Sequence, residues 1–199
     1  MRAVSRTCAL IFLVFSSVGL ASQAETPDPD GRIRAEILER ALAAMEEHAA
    51  EGAGNGKLVV VDYGLHSSKE RLFVVDLETG AVSAYRAAHG MGTDKDHDGY
   101  LDSFSSLPGS QASPEGTFRF AEEYVGKHGQ SFRLDGLDDT NRTSRARAIV
   151  IHSASYAEPA FLDQHGKLGR SNGCIVFSRD DLARFSGEVP EGTLIFVGK

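Results

Sequence analysis

Residues 149–177 read IVIHSASYAEPAFLDQHGKLGRSNGCIVF. His152 ends one apolar run of this segment, and Cys174 begins another directly after Gly173. Short apolar runs that are bounded by glycine and polar residues are typical of buried strands. A thiol and an upstream imidazole at the ends of two such strands have the composition of a cysteine/histidine nucleophile pair. The segment therefore predicts an enzyme with a thiolate nucleophile.

The N-terminal residues 1–24 read as a signal peptide. Arg2 and Arg6 precede an apolar stretch at 8–20, and small residues at 22–24 offer a cleavage site before Glu25. The stretch is shorter than the roughly 20 residues of a membrane span, so we expect no stable span after cleavage. A retained signal anchor is the alternative, and a lipoprotein is disfavoured because Cys8 precedes the apolar stretch. The leader predicts a periplasmic or secreted protein.

Charge and cysteine content narrow the function further. The chain has 28 acidic and 21 basic side chains, and losing Arg2 and Arg6 moves its formal net charge from -7 to -9. Because nucleic-acid partners need a basic surface, we expect none. Cleavage would leave Cys174 as the only thiol, which is an intermolecular link, a working nucleophile or a small buried hydrophobe. The polar residues 170–172, which precede Cys174 closely in the sequence, favour a nucleophile over a buried hydrophobe.

The fold is predicted from the change of hydrophobic period along the chain. Residues 25–56 read as a linker and one amphipathic helix over 31–50, with Asp30 as its N-cap. Beyond residue 57, short β-branched and aromatic runs predict a mainly β domain, a mostly antiparallel sandwich or barrel. The runs lie at 57–63, 71–77, 81–89, 117–120, 131–134, 148–152, 174–177 and 194–197. Brief helices are expected near 159–165 and 179–185, the second capped by Ser178.

Three motifs resemble the catalytic domain of the L,D-transpeptidases (YkuD type). They are SPEGTF at 113–118, LGRSNGCI at 168–175 downstream of His152, and VPEGTLIF at 189–196. The commonest members carry an arginine two residues after the cysteine, where this chain has Val176. The sequence is therefore more similar to a divergent branch, the murein L,D-transpeptidase catalytic domain. The resemblance runs from about residue 57 to the C-terminus and implies the L,D-transpeptidase type of β fold over 57–199.

Catalytic roles can be assigned to the residues around the thiol. We expect Cys174 to be the nucleophile and His152 the base that takes its proton and lowers the thiol pKa. The resemblance implies that the backbone carbonyl of Ser153 orients this imidazole. The amides of Asn172, Gly173 and Cys174 are the expected oxyanion hole, and Gly173 would let substrate approach without a Cβ in the way.

Contacts with substrate are expected from Arg170, Ser171, Asn172 and Tyr156. Arg170 and Ser171 bind a peptide carboxylate or hold the loop, and a merely solvated Arg170 and an ordinarily packed Tyr156 are the alternatives. His89 could flank the same cleft, whereas His165 reads as a helix-end histidine.

No metal or cofactor is expected to take part in catalysis, because the sequence has no His-x-x-x-His or Cys-x-x-Cys spacing. Residues 94–102, DKDHDGYLD, match the first half of a calcium loop, but Ser105 replaces the closing glutamate of an EF-hand. We favour a solvated acidic loop over a calcium site.

The resemblance implies an exported cysteine acyltransferase that modifies peptidoglycan stem peptides through a Cys174 thioester. A hydrolase of the same fold is the first alternative, either an L,D-carboxypeptidase or an amidase that releases wall-linked groups. A non-catalytic wall-binding module is the second. A papain-like protease is disfavoured because His152 precedes Cys174 here.

Overall fold

The computed structural model describes residues 27–52 and 54–199, so the leader predicted at 1–24 lies outside the described residues. The chain forms three α-helices, eight strands and two short 3₁₀ turns, Met91–Thr93 and Ser155–Ala157, within the described part. In chain order the elements are α1 (Ala35–Glu47), β1 (Lys57–Asp62), β2 (Leu72–Asp76), β3 (Val82–Tyr85), β4 (Gly116–Gly126), β5 (Gly129–Gly136), β6 (Val150–Ser153), α2 (Pro159–His165), β7 (Ile175–Phe177), α3 (Arg179–Glu188) and β8 (Leu194–Gly198).

All eight strands join one mixed sheet in the order β3-β2-β1-β8-β4-β5-β6-β7. The pairs β1–β8 and β6–β7 are parallel, and the other neighbours are antiparallel. Beyond β3, Ala88 exchanges backbone hydrogen bonds with Val176 of β7, which joins the two ends of the sheet. The predicted mainly β, mostly antiparallel fold is confirmed.

The sheet is covered on both faces along β1, which explains its unbroken apolar sequence. Val59 and Val61 enter the central core, whereas Leu58 and Val60 contact the second core beneath α1. Strands buried on both faces read as continuous hydrophobic runs rather than as alternating patterns. The N-terminal helix is thus packed on the sheet of the β domain.

Helix α1 is shorter than predicted. It begins after Arg34 rather than at residue 31, and no side chain caps it, so the expected cap by Asp30 is wrong. The carboxylate of Asp28 instead accepts hydrogen bonds from the amides of Arg32 and Ile33, which holds these residues in a turn before the helix. A local side-chain bond to the backbone competes here with helix extension.

The two later helices follow their sequence signals. Helix α2 occupies the predicted residues, with proline in its first turn, where the missing amide costs nothing. The hydroxyl of Ser178 accepts from the amide of Asp181 at 3.2 Å and caps α3 as predicted. Within residues 27–52 and 54–199 we find no helix long and apolar enough to cross a bilayer.

Candidate active site

The parallel pairing of β6 and β7 brings the thiol and the imidazole to one face of the sheet. His152 lies opposite Val176, and Cys174 precedes Val176 by two residues, so all three point outward from the barrel core. Cys174 and His152 line the same cavity, whose volume is about 330 Å³. Val176 is fully buried and does not line this cavity.

Cys174 is 9% exposed, and its thiol lies 3.7 Å from the carbonyl oxygen of Ala148, to which it donates. Burial raises the pKa of this thiol, because a thiolate loses solvation there, although the Val150 amide and the charges of Lys127 and Arg147 act in the opposite direction. The expectation that the neighbouring imidazole lowers the thiol pKa is therefore wrong for the resting protein.

His152 is 2% exposed, and its two ring nitrogens have different surroundings. Nδ1 lies 3.0 Å from the carbonyl oxygen of Ser153, so Nδ1 carries the proton and donates it. Nε2 has no hydrogen-bond partner in the described part of the chain. Burial lowers the pKa of His152; the Ser153 carbonyl opposes this, and His128 and Lys127 add to it.

These shifts define the resting state of the pair. A thiol with a raised pKa and an imidazole with a lowered pKa are both neutral near pH 7. Among residues 27–52 and 54–199, Cys174 Sγ makes no hydrogen bond to His152. The arrangement fits an imidazole that takes the thiol proton during attack rather than a resting thiolate–imidazolium pair.

The loop before Cys174 is held by Ser171. Its amide donates to the carbonyl of His89 at 2.8 Å, and its hydroxyl donates to the carbonyl of Cys174 at 2.8 Å. The same hydroxyl accepts from the amide of Gly173 at 3.0 Å. Of the two roles considered for Ser171, this geometry favours holding the loop over binding a carboxylate. The amide of Gly173, one of the three expected in the oxyanion hole, is therefore already bonded to the Ser171 hydroxyl.

Gly173 is required by packing. Its φ of +115° is one that residues with a Cβ rarely adopt. A Cβ at this position would lie 2.6 Å from the carbonyl oxygen of Ala112 and 2.8 Å from Cδ1 of Ile149. The physical reason for glycine is thus the tight contact behind the loop, in addition to any benefit for substrate approach.

The other predicted contact residues lie around the cavity. Arg170 is half-buried and donates to the carbonyl of Asp94, which makes it a loop-holding residue as well as part of the wall. Exposed Asn172 accepts a hydrogen bond from Gln111 at 3.3 Å. Tyr156 packs on Gly169, whose Cβ would lie 2.5 Å from that of Tyr156, and burial raises the tyrosine pKa to about 12.

Sequence reasoning missed the four other lining residues that have polar side chains. Tyr124, Lys127 and His128 come from the β4–β5 hairpin, and the ring of His128 stacks on His152 with centroids 4.1 Å apart and planes 19° apart. Arg147, from the loop before β6, donates to the carbonyl of Ala112 at 2.7 Å. The turn at residues 126–129 is readable as a hairpin tip in the sequence, but nothing local indicates what the tip contacts.

The charge of the cavity differs from that of the whole chain. Its described lining contains the cations Lys127, Arg147 and Arg170 but no carboxylate, whereas the chain has a formal net charge of -7. A cavity of this charge favours anionic groups near the thiol.

His89 lies behind the nucleophile loop and does not line the cavity, so its predicted place at the cleft is wrong. Its ring is 1% exposed, with Nδ1 accepting from Arg71 at 2.9 Å and Nε2 donating to Asp94 at 3.1 Å. Burial and the Arg71 charge lower the pKa of His89 to about 4. The neutral ring is thus a link in a buried polar network.

The acidic loop is only partly solvated. Carboxylate oxygens of Asp94, Asp96 and Asp98 lie within 4.8 Å of one another. Asp94 is fully buried and accepts from the amides of Asp98 and Gly99 at 3.0 and 3.2 Å. The interpretation of this segment as a solvated loop is therefore wrong for Asp94, whereas it is correct for Asp96 and Asp98, which are exposed. Burial opposes ionisation of Asp94, but the bonds from His89 and Gly99 outweigh it and lower its pKa.

The family model of the L,D-transpeptidase catalytic domain matches residues 30–197. No curated protein matches. Among solved structures, an L,D-transpeptidase from Mycobacterium smegmatis is similar at 20% identity, with a TM-score of 0.43, over 72% of this chain and 59% of that one.

A second similar structure is the helical cell shape determining protein Pgp2 from Campylobacter jejuni. It has 14% identity and a TM-score of 0.47, over 78% of this chain and 53% of that one. This chain therefore spans little more than half the length of these structures. The family match, in contrast, covers most of the chain, from before α1 into β8, and includes His152 and Cys174. The chain belongs to the L,D-transpeptidase catalytic domain family.

Proposed function

We propose that this protein is an exported L,D-transpeptidase, a cysteine acyltransferase that acts on peptidoglycan stem peptides through a thioester on Cys174. One observation carries the proposal: the thiol of Cys174 and the unpaired Nε2 of His152 face one cavity, with Nδ1 of the same imidazole fixed by the Ser153 carbonyl. Family membership gives the class of reaction.

The first half of the reaction forms the thioester. Nε2 of His152 takes the thiol proton while Sγ of Cys174 attacks the carbonyl carbon between an L-centre and a D-residue. The amides of Asn172 and Cys174, which make no hydrogen bond within the described chain, donate to the developing oxyanion. The carbon–nitrogen bond then breaks, and the proton on His152 passes to the amine of the departing D-amino acid.

The second half transfers the acyl group. An acceptor amine attacks the thioester and gives a proton to Nε2 of His152, a new amide bond forms, and the carbon–sulfur bond breaks. The proton returns from His152 to the sulfur of Cys174, so the enzyme is regenerated. If water is the acceptor, the product is a free carboxylate and the enzyme is an L,D-carboxypeptidase or an amidase that releases wall-linked groups.

Export and domain limits belong to the same proposal. Residues 1–24 direct the chain out of the cytoplasm, residues 25–56 form the linker and N-terminal helix, and residues 57–199 carry the catalytic site. Stem peptides of the wall are the partners, and neither nucleic acid nor a stable membrane span has a role.

Mass spectrometry of muropeptides incubated with the mature protein and a D-amino acid tests the proposal. We expect exchange or cross-linking with the wild type and none with C174A, provided that both proteins have the same melting temperature. Trimmed stems without exchange would identify the hydrolase. Unchanged muropeptides with both proteins, together with equal binding to wall fragments, would replace the enzyme by a wall-binding module.

A further inference from the structure

The tip of the β4–β5 hairpin covers the candidate base. His128 stacks on His152 with ring centroids 4.1 Å apart and an interplanar angle of 19°. The ring nitrogens of His128 make no hydrogen bond to any of the described residues, so the stack is its principal specific contact. A side chain exposed at a hairpin tip would otherwise be free to change rotamer.

We propose that His128 is a positioning residue of this site, whose ring holds the imidazole of His152 in the plane that directs Nε2 into the thiol cavity. The inference deepens the proposed function and rests on it for the role of His152. Two contacts together fix the orientation of the His152 ring. The Ser153 carbonyl fixes one edge of the His152 ring through Nδ1, and His128 covers one of its faces. A single hydrogen bond leaves the ring free to tilt about that bond, whereas a stacked neighbour restricts the tilt.

His128 also separates His152 from a second cavity. This neighbouring cavity, of about 530 Å³, is lined by His128 and by Ser153, Glu158, Arg179 and Asp180, and His152 is not part of its wall. Removing the ring of His128 would therefore expose the face of His152 to water from that side. The base would lose both its orientation and part of its burial.

The charges around His152 set the direction of the pH effect. The thiol cavity is lined by the titratable groups of Tyr124, Lys127, His128, Arg147, Tyr156, Arg170 and Cys174, and the His128 ring stacks on His152. Burial and the charges of His128 and Lys127 lower the pKa of His152. Loss of the His128 ring removes its own contribution and reduces the burial of His152, so we expect the pKa of His152 to rise. The base is then protonated over a wider pH range and is inactive there.

The experiment compares three variants of the mature protein with the wild type. H128A removes the stack, H128F restores an aromatic ring without a titratable group, and H165A is the matched control. His165 is likewise an exposed histidine packed on an aromatic ring, Phe161 at 4.2 Å, but it lies outside both cavities. The first readout is the NMR titration of the His152 ring, which needs no substrate. The second is the pH profile of kcat/KM for muropeptide exchange.

We expect the His152 titration to move to higher pH in H128A, to return toward the wild type in H128F and to stay unchanged in H165A. The acid limb of the kcat/KM profile should move in the same direction, with a loss of about tenfold at pH 7 in H128A, because a misplaced base loses part of its contribution. An unchanged His152 titration in H128A, or equal losses in H128A and H165A, would overturn the inference. If no exchange is detected with any protein, the proposed function fails, while the NMR titration still decides whether His128 positions His152.

Discussion

His152 and His89 are two nearly fully buried imidazoles, of which His152 lines the thiol cavity and His89 holds Ser171 through its backbone. Burial lowers the pKa of both rings, so both are neutral near pH 7. Their partners differ. Both nitrogens of His89 are bonded, to Arg71 and Asp94, whereas only Nδ1 of His152 is bonded, to the Ser153 carbonyl. A ring with both nitrogens occupied stabilises structure, and a ring with one nitrogen unpaired at a cavity can move a proton.

The difference shows that neither burial nor a shifted pKa identifies the base. The pKa of His89 is lowered to about 4, yet its side chain has no access to the thiol cavity. Its backbone carbonyl holds Ser171, so it supports the loop whose thiol His152 is expected to activate.

The largest expected effect is the loss of the base. Replacing His152 by Asn keeps a hydrogen bond near the position of Nδ1 but removes the proton acceptor, so kcat/KM for muropeptide exchange should fall about 10³-fold. H89Q, in which the amide can both accept from Arg71 and donate to Asp94, should keep kcat/KM within about threefold, because its ring is not in the cavity. Equal losses of kcat/KM in the two variants would contradict the assignment of only His152 as the base.

The buried surroundings of His89 should make the free energy of unfolding depend on pH. Its pKa is lowered from 6.5 to about 4 by burial and by Arg71, so between these values the unfolded chain binds a proton that the folded chain does not. The free energy of unfolding therefore falls as the pH drops from 6.5 to 4, by up to about 3 kcal/mol, and this contribution is constant below pH 4.

H89Q cannot titrate and should lose this part of the dependence. Urea unfolding at several pH values measures it, and the wild type should lose stability more steeply than the variant over this range. Parallel curves for the two proteins would show that His89 is protonated at no cost, contrary to its described surroundings.

The loop that precedes Cys174 depends on Gly173. Alanine at this position would combine a positive φ with a contact of 2.6 Å to the carbonyl oxygen of Ala112, so G173A should lose about 2 kcal/mol of unfolding free energy. Gly187 in α3 is the matched control, because a Cβ there meets no atom within 4 Å. G187A should be neutral or gain up to about 1 kcal/mol, since alanine favours helix. Similar stabilities of the two variants in urea would contradict the packing argument.

The smallest expected effect concerns Lys127. Its charge opposes the rise of the Cys174 thiol pKa. K127M should therefore raise the thiol pKa and slow iodoacetamide alkylation of Cys174 at pH 7 by about twofold at low salt. At 1 M salt, where the Debye length is about 3 Å, the difference should disappear. A difference that persists at high salt would mean that Lys127 acts through packing.

Local signals predicted the parts of the fold that local contacts determine. Pro159 and Ser178 mark the starts of α2 and α3, and both helices are found there. The start of α1 was predicted wrongly, because the carboxylate of Asp28 binds amides that the pattern assigned to the helix. His152 and Cys174 lie at the ends of two apolar runs. These runs form neighbouring parallel strands, which brings the two side chains to one cavity.

The remaining features depend on contacts distant in sequence. The register of β4 and β5 shifts between Phe120 and Glu123, which bends the hairpin, and its tip brings His128 onto His152. The raised thiol pKa depends on how deeply Cys174 is buried, which the neighbouring residues in the sequence do not indicate. Likewise, nothing near Gly173 in sequence indicates its contact with Ala112.

The role of Cys174 as the nucleophile is tested most directly by the intact mass of the protein after brief incubation with a tetrapeptide stem, followed by mapping of the modified peptide. We expect an added mass equal to that of the donor minus its terminal D-amino acid, located on Cys174 as a thioester that hydroxylamine removes. C174A should show no such adduct. An adduct of the same mass in C174A, or exchange activity without any acylated Cys174, would contradict the assignment of this thiol as the nucleophile.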